Sequence, residues 1–284
     1  MTDVRQLDLA LLRSWIGREE TAEEVVTHAL AERFRATFGE GRGTAEASAT
    51  APRMLHWCLA PPAVPMGELG ADGHPARGGF LPPVPLPRRM WAGGDLVFHG
   101  EILAGDAVRR TSRIADVSVK EGRSGLLCFV TVCHEVSANG RAVLSETQEI
   151  VYRDHPAADA GPARGGAPAA EGEHRRSIDP SAVLLFRYSA LTFNGHRIHY
   201  DLPYATRTEG YPGLVVQGPL QATLLARFAE QIHGAPPSRF SFRGLAPAYS
   251  GTPLVLHAQS EDGGLKLWSA VAGGPVSMSA RADW

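Results

Sequence analysis

Hydrophobic and polar positions change their spacing several times along the chain, and each change marks a different kind of element. Over residues 21–38, TAEEVVTHALAERFRATF, apolar residues recur every three or four positions, the spacing of one buried helix face. Thr21 stands where a hydroxyl can cap the first turn, Glu23 and Glu24 suit the positive end of the helix dipole, and Gly39 to Gly43 close it. From Trp91 to Arg153 the period drops to two. GDLVFHGEI, DAVRRTSRIADVSVK, GLLCFVTVCHEVS and RAVLSETQEIVYR predict four strands, divided by turn residues at Ala104-Gly105-Asp106, Glu121 to Gly125 and Asn139-Gly140.

Residues 51–90, with LPPVPLP at 81–87, are too rich in Pro and Gly for a regular element, and read as a long ordered excursion over a surface. Residues 156–173 are almost wholly Ala, Gly, Pro and acid, the composition of a linker. Beyond them the first pattern returns in shorter form. VLLFRYSAL at 183–191 predicts a strand and PLQATLLARFAEQIHG at 219–234 an amphipathic helix opening on Pro219. RFSFRGLA, TPLVLHAQS, LKLWSAVAG and PVSMSARADW predict four more strands. The economical reading is two copies of one α+β unit, residues 1–155 and 177–284, joined by a flexible linker at 156–176. Trp91, Phe98, Phe129 and Trp268 are expected in the core, and His56 and Asp154-His155 on the surface.

A chain of 284 residues is long enough for two such cores. Its net charge of −2 argues against nucleic-acid or membrane-surface partners, which need clustered positive charge. No apolar run approaches the ~18 residues that span a bilayer, and MTDVRQLDLALLRSWIG does not read as a signal peptide. Cys58, Cys128 and Cys133 match neither a metal-ligand spacing nor an even disulfide framework. Cys128 and Cys133, five apart on one predicted strand, face opposite ways. The expected compartment is the reducing cytoplasm.

The chemistry concentrates in YSALTFNGHRIHYDLPYA, residues 188–205. Asn194-Gly195 breaks the preceding pattern, so His196 and His199 are expected on a loop or short turn. Histidine titrates nearest neutrality and suits proton transfer, and the Asn194 amide can orient a water or a substrate oxygen beside it. Gln217-Gly218 opens the second helix, where free N–H groups and the dipole can hold the oxygen of a polarised carbonyl. His196-x-x-His199 with Asp201 resembles half of a zinc finger without its cysteines, and no metal is expected.

On these residues the chain resembles the MaoC-like (hydratase 2) hot-dog family, whose core signature is G-D-x-N-P-[IL]-H. It is most similar to the branch holding mesaconyl-C4-CoA hydratase, itaconyl-CoA hydratase and type 2 hydroxyacyl-thioester dehydratase. FRYSALTFNGHRIHYDLPYA and GYPGLVVQGPLQ carry the resemblance, and LPPVPLPRRMWAGGDLVFHGEI extends it to the N-terminal half. It implies a tandem hot-dog fold, each unit an antiparallel sheet wrapped around a central helix, with a degenerate N-terminal unit and a catalytic C-terminal one. His199 falls on the catalytic histidine and Gly218 on the oxyanion donor. Gln217 stands where many relatives carry histidine.

Asn194 falls on the aspartate of the wider signature. An amide cannot accept a proton as a carboxylate can, so His199 alone is expected to move protons while Asn194 positions the water. The implied reaction is reversible hydration of a short α,β-unsaturated acyl-CoA, mesaconyl-C4-CoA or itaconyl-CoA, with no cofactor beyond the CoA of the substrate. His196 and Gln217 are expected to line the substrate site, and Arg197, Arg207 and Arg89 to receive a free carboxylate. Association into a homodimer is expected. The alternatives are 3-hydroxyacyl-thioester dehydration in fatty-acid synthesis, a thioesterase, and an acyl-CoA binding module without turnover.

Overall fold

The computed structural model describes residues 7–40, 49–122, 125–154 and 166–284. Among these, ten strands form one antiparallel sheet. The N-terminal half supplies β1 (Glu19–Val25), β2 (Arg88–Phe98), β3 (Ala107–Gly122), β4 (Gly125–Ala138) and β5 (Arg141–Arg153). The C-terminal half supplies β6 (His174–Ile178), β7 (Arg239–Gly244), β8 (Leu254–Glu261), β9 (Gly264–Val271) and β10 (Val276–Asp283). The order is β1-β3-β4-β5-β2-β7-β10-β9-β8-β6, so the second half repeats the first in reverse.

The halves meet where Gly93–Val97 of β2 pairs with Arg239–Arg243 of β7. A Cβ on Gly94 would lie 2.8 Å from the Phe242 ring, so glycine is required there for the two strands to close. Asp95 and Arg239 add a forked ion pair across the seam.

Helix α4 (Gly218–His233) lies across β8, β9 and β10 and reaches β2 and β7. Its Leu220, Ala222, Leu225 and Ala229 are fully buried, making it the central helix of the C-terminal unit. In the N-terminal unit α2 (His28–Thr37) sends Leu30, Ala31 and Phe34 inward beside a 3-10 turn at Leu55–Cys58. A second apolar cluster joins Leu12 of α1 (Leu9–Arg13) to Val84, Ile114, Val130 and Tyr152.

Four local expectations are corrected. Residues 19–25 are strand β1, not helix: they pair with β3, and Glu23 meets Arg109 across the strands. The helix begins later, capped by Thr27, whose hydroxyl accepts the Leu30 N–H at 3.1 Å. Residues 183–191 form helix α3 (Ala182–Leu191), capped by Ser181 and packed on α2, with Tyr188 edge-on to Phe38. A short apolar run suits a strand or a buried helix equally, and the contact with α2 decides. His56 is buried against Glu146 rather than exposed. Phe129 is half-buried beneath Lys120.

Strand β6 was not foreseen, because its polar HRRSI is an edge strand held to β8 by backbone pairing, and it starts inside the segment read as linker. His155 and most of that linker lie outside the described residues. Among the described residues, no helix is long and apolar enough to cross a membrane.

Candidate active site

The excursion at 51–90 first threads Met54, Leu55, His56 and Cys58 into the core, then crosses to the C-terminal unit. There it meets the loop after α3. That loop turns at Phe193, whose φ is +51°, and Asn194 Oδ1 then accepts the His196 N–H at 3.0 Å. One 3-10 turn, Arg197–His199, follows and brings both histidines inward.

His199 is clamped twice. The Val215 N–H donates to the Ile198 carbonyl at 3.0 Å, and His199 Nδ1 donates to the Val215 carbonyl at 2.7 Å. A carbonyl only accepts, so Nδ1 carries the proton and Nε2 keeps its lone pair. The His196 ring stands edge-on to His199 at 5.2 Å between centroids.

Two residues that sequence reasoning missed complete the cluster. The His74 ring lies 4.0 Å from that of His196, and its Nδ1 meets Asp72 Oδ2 at 3.0 Å. Asp72 Oδ1 also accepts the His74 N–H at 3.0 Å. The only signal for them was a polar pair, ADGH, inside a Pro/Gly tract, without periodicity or motif spacing. Backbone bonds latch this tip in place: Arg197 N–H to the Asp72 carbonyl at 2.9 Å, and Arg197 Nη1 to the Ala71 carbonyl at 3.1 Å.

Burial sets the resting charges. It pushes His199 down from 6.5 to about 4, against the opposing bond to Val215. Burial, then the charges of His74 and His199, take His196 down to about 2. His74 is lowered by burial and by Arg89 and Arg77, with Asp72 opposing. Burial resists ionisation of Asp72, but its bonds to His74 and the nearby His196 prevail and hold it below the usual carboxylate range. At neutral pH the site thus holds three neutral imidazoles and one carboxylate.

Three of the expected substrate contacts are otherwise engaged or displaced. Arg197 grips Asp201 through Nε and Nη2 at 3.0 and 2.8 Å and covers the Tyr204 ring. Arg207 is exposed on the Tyr204–Thr208 turn. The Gln217 amide donates to the Leu185 carbonyl and Ser189 Oγ, pinning α3 to the start of α4 and leaving its own oxygen buried and unpaired.

Arg89, on β2, differs: its charge acts on His74, His196 and Tyr152, with no carboxylate in ion-pair reach among the described residues. Its neighbour Arg88 is paired with Glu209. Gly218 opens α4, where a Cβ would be in ordinary contact with the Trp91 carbonyl at 3.7 Å and the first N–H groups of the helix have no intrahelical partner.

Asp201 is committed to Arg197, so the histidine pair lacks the carboxylate that a metal reading needs. The donors that do converge are Asp72, His74 and His196, within 4.8 Å of one another. Both Asp72 oxygens already face His74, and the His196 ring meets that hydrogen-bonded pair by packing.

Residues 53–250 match the family model described as hydroxyacyl-thioester dehydratase type 2. The chain is 41% identical over 270 residues to mesaconyl-C(4)-CoA hydratase of Chloroflexus aurantiacus, covering 95% of this chain and 96% of the relative. It is 29% identical over 227 residues to the mitochondrial hydroxyacyl-thioester dehydratase type 2 of Schizosaccharomyces pombe, covering 72% and 75%. Among solved structures, a MaoC-like dehydratase of Phytophthora capsici superposes with a TM-score of 0.69 at 14% identity, over 98% and 99% of the two chains. A Mycobacterium tuberculosis protein with a double hotdog fold gives 0.57 at 14% identity, over 94% and 95%. The sheet described above has that double hot-dog architecture.

Proposed function

The chain belongs to the hydroxyacyl-thioester dehydratase type 2 family, and from that membership we propose how its site works and on what. It is a hydro-lyase that adds water to, or removes it from, an acyl-CoA thioester. The substrate is a short α,β-unsaturated acyl-CoA carrying a free carboxylate, of the mesaconyl-C4-CoA type, hydrated to a citramalyl-CoA type product. The Arg89 guanidinium, which acts on the histidines and has no carboxylate partner among the described residues, supports a carboxylate-bearing acyl group, because guanidinium binds carboxylate in a two-bond fork.

The observation that carries the mechanism is His199 with Nδ1 held by Val215 and Nε2 free. In hydration Nε2 takes a proton from water as the oxygen bonds to the β-carbon. The π electrons move toward the thioester oxygen, whose charge the Gly218 N–H and the start of α4 stabilise. The α-carbon then takes a proton and the imidazole returns to its neutral form. Asn194 holds the loop through its bond to His196 and orients the water. The thioester itself acidifies the α-position, so the proposed chemistry calls on no cofactor beyond the CoA of the substrate.

The test is to incubate the protein with mesaconyl-C4-CoA, itaconyl-CoA and crotonyl-CoA and follow loss of enoyl-thioester absorbance. Turnover fastest on a dicarboxylic ester, and lost in His199→Ala, is the expected result. Preference for long 3-hydroxyacyl thioesters points to the fatty-acid reaction, and thiol release to a thioesterase. Binding without turnover leaves only a carrier role.

A further inference from the structure

The wider signature pairs its histidine with an aspartate, and here position 194 is an amide that caps a turn. Burial drives all three imidazoles of the site toward neutrality, so a proton taken up from water is unstable there without a nearby negative charge. One carboxylate does face the cluster, and it comes from the other unit. Asp72 is joined to His74 through the ring and the backbone, and the His74 ring packs at a tilt against His196, which in turn meets His199.

The segment that carries Asp72 is built to stay there. Gly73 has a φ of +87°, and a Cβ on it would fall 2.0 Å from the Gly195 carbonyl oxygen. A Cβ on Gly195 would fall 2.8 Å from the Gly73 carbonyl oxygen. Two facing glycines thus let the tips of the two units touch backbone to backbone, and the two bonds from Arg197 lock the contact.

We propose that Asp72, acting through His74, is the positioning carboxylate of this site, supplying from the N-terminal unit the negative charge that Asn194 cannot. This rests on the hydration reading above. When His199 Nε2 takes the proton from water, the positive charge enters a cluster whose far end is the Asp72 carboxylate. That charge stabilises the imidazolium until the proton is delivered to the α-carbon. One water is added across the double bond, and the protein ends in its starting protonation state. Asp72 touches no reacting atom: it acts by charge and by holding the His74 ring against His196. The other charged groups facing His74 are Arg89 and Arg77, and the other titratable or charged groups facing His196 are His74, His199 and Arg89.

The decisive variant is Asp72→Asn in the full chain, which keeps an oxygen for the His74 N–H and removes the charge. With mesaconyl-C4-CoA the expected result is a kcat about 100-fold lower with KM within about threefold, and an unchanged thermal midpoint. Imidazole titration by NMR should show the His74 midpoint moving to lower pH, as removal of the facing negative charge requires. The second variant, His74→Gln, retains a donor toward Asp72 and is expected to lose kcat to a similar degree. An unmoved His74 midpoint in Asp72→Asn, or wild-type kcat in either variant, overturns the proposal. If the wild type hydrates no enoyl thioester, the functional reading fails by itself, and the titrations still decide whether the Asp72 charge governs the cluster.

Discussion

The Nδ1–H of His199 donates to the carbonyl of Val215 at 2.7 Å, and this one bond fixes the tautomer that leaves Nε2 with its lone pair. Val215 lies three residues before the Gly218 helix start, so the segment that fixes the tautomer also leads into the N–H proposed above as the oxyanion donor. In the proposed mechanism one stretch of backbone therefore positions both proton transfer and charge stabilisation.

The pH dependence follows from burial of that imidazole. The base works only while Nε2 is unprotonated, so kcat/KM should be full above the His199 pKa and fall as pH drops through about 4. An acid limb near 6.5, the ordinary histidine value, would show that His199 is not the base. Replacement by alanine should cut kcat by about 10²–10⁴.

Arg89→Ala should lower kcat/KM for mesaconyl-C4-CoA by about 30-fold or more, the loss of a desolvated charge pair. Crotonyl-CoA, which has no second carboxylate, should change by less than about threefold. Equal losses on both esters would remove Arg89 from carboxylate recognition.

Gly73→Ala tests the latch between the units. The added methyl meets the Gly195 carbonyl and stands at a left-handed φ, so the tip must move. A kcat drop of about tenfold or more is expected with His199 untouched, alongside a lower thermal midpoint. Unchanged activity and midpoint would show that the two tips need not touch.

Glu146 is a stability prediction outside the site. It is buried with Trp57 Nε1 at 3.0 Å and His56 Nε2 at 3.3 Å, and the Trp57 ring packs edge-on against Trp91. Burial raises its pKa, yet His56, His134 and Trp57 together bring it below 4.5. A carboxyl with a depressed folded pKa stabilises above its unfolded value and loses that contribution as pH falls through the folded one. Glu146→Gln should therefore cost about 1–3 kcal/mol at neutral pH, with the difference from wild type shrinking in acid. Denaturant unfolding at the two pH values checks this, and a constant difference would rule out the ionised form as the source.

Much of the fold was legible because β4 and β10, and parts of β3, alternate more and less buried positions, and Pro219 with Gly234 marks both ends of α4. The errors fell where local pattern is degenerate. Residues 19–25 carry helical spacing but sit on a sheet edge, and α3 is an apolar run that only contact with α2 turns into a helix.

What the sequence determined by itself was the two-unit α+β plan and the loop that carries His196, Arg197 and His199, because both are written in contiguous residues. What the tertiary structure alone decided was the tautomer of His199, the absence of a carboxylate partner on Arg89 among the described residues against the pairing of Arg197 with Asp201, and the arrival of Asp72 and His74. Arg197 has a carboxylate four residues away, which a sequence can show but cannot prove paired. Asp72 lies more than a hundred residues from His196, in a tract with no periodicity. Its place depends on two glycines meeting across the units, a contact that exists only once both units have folded.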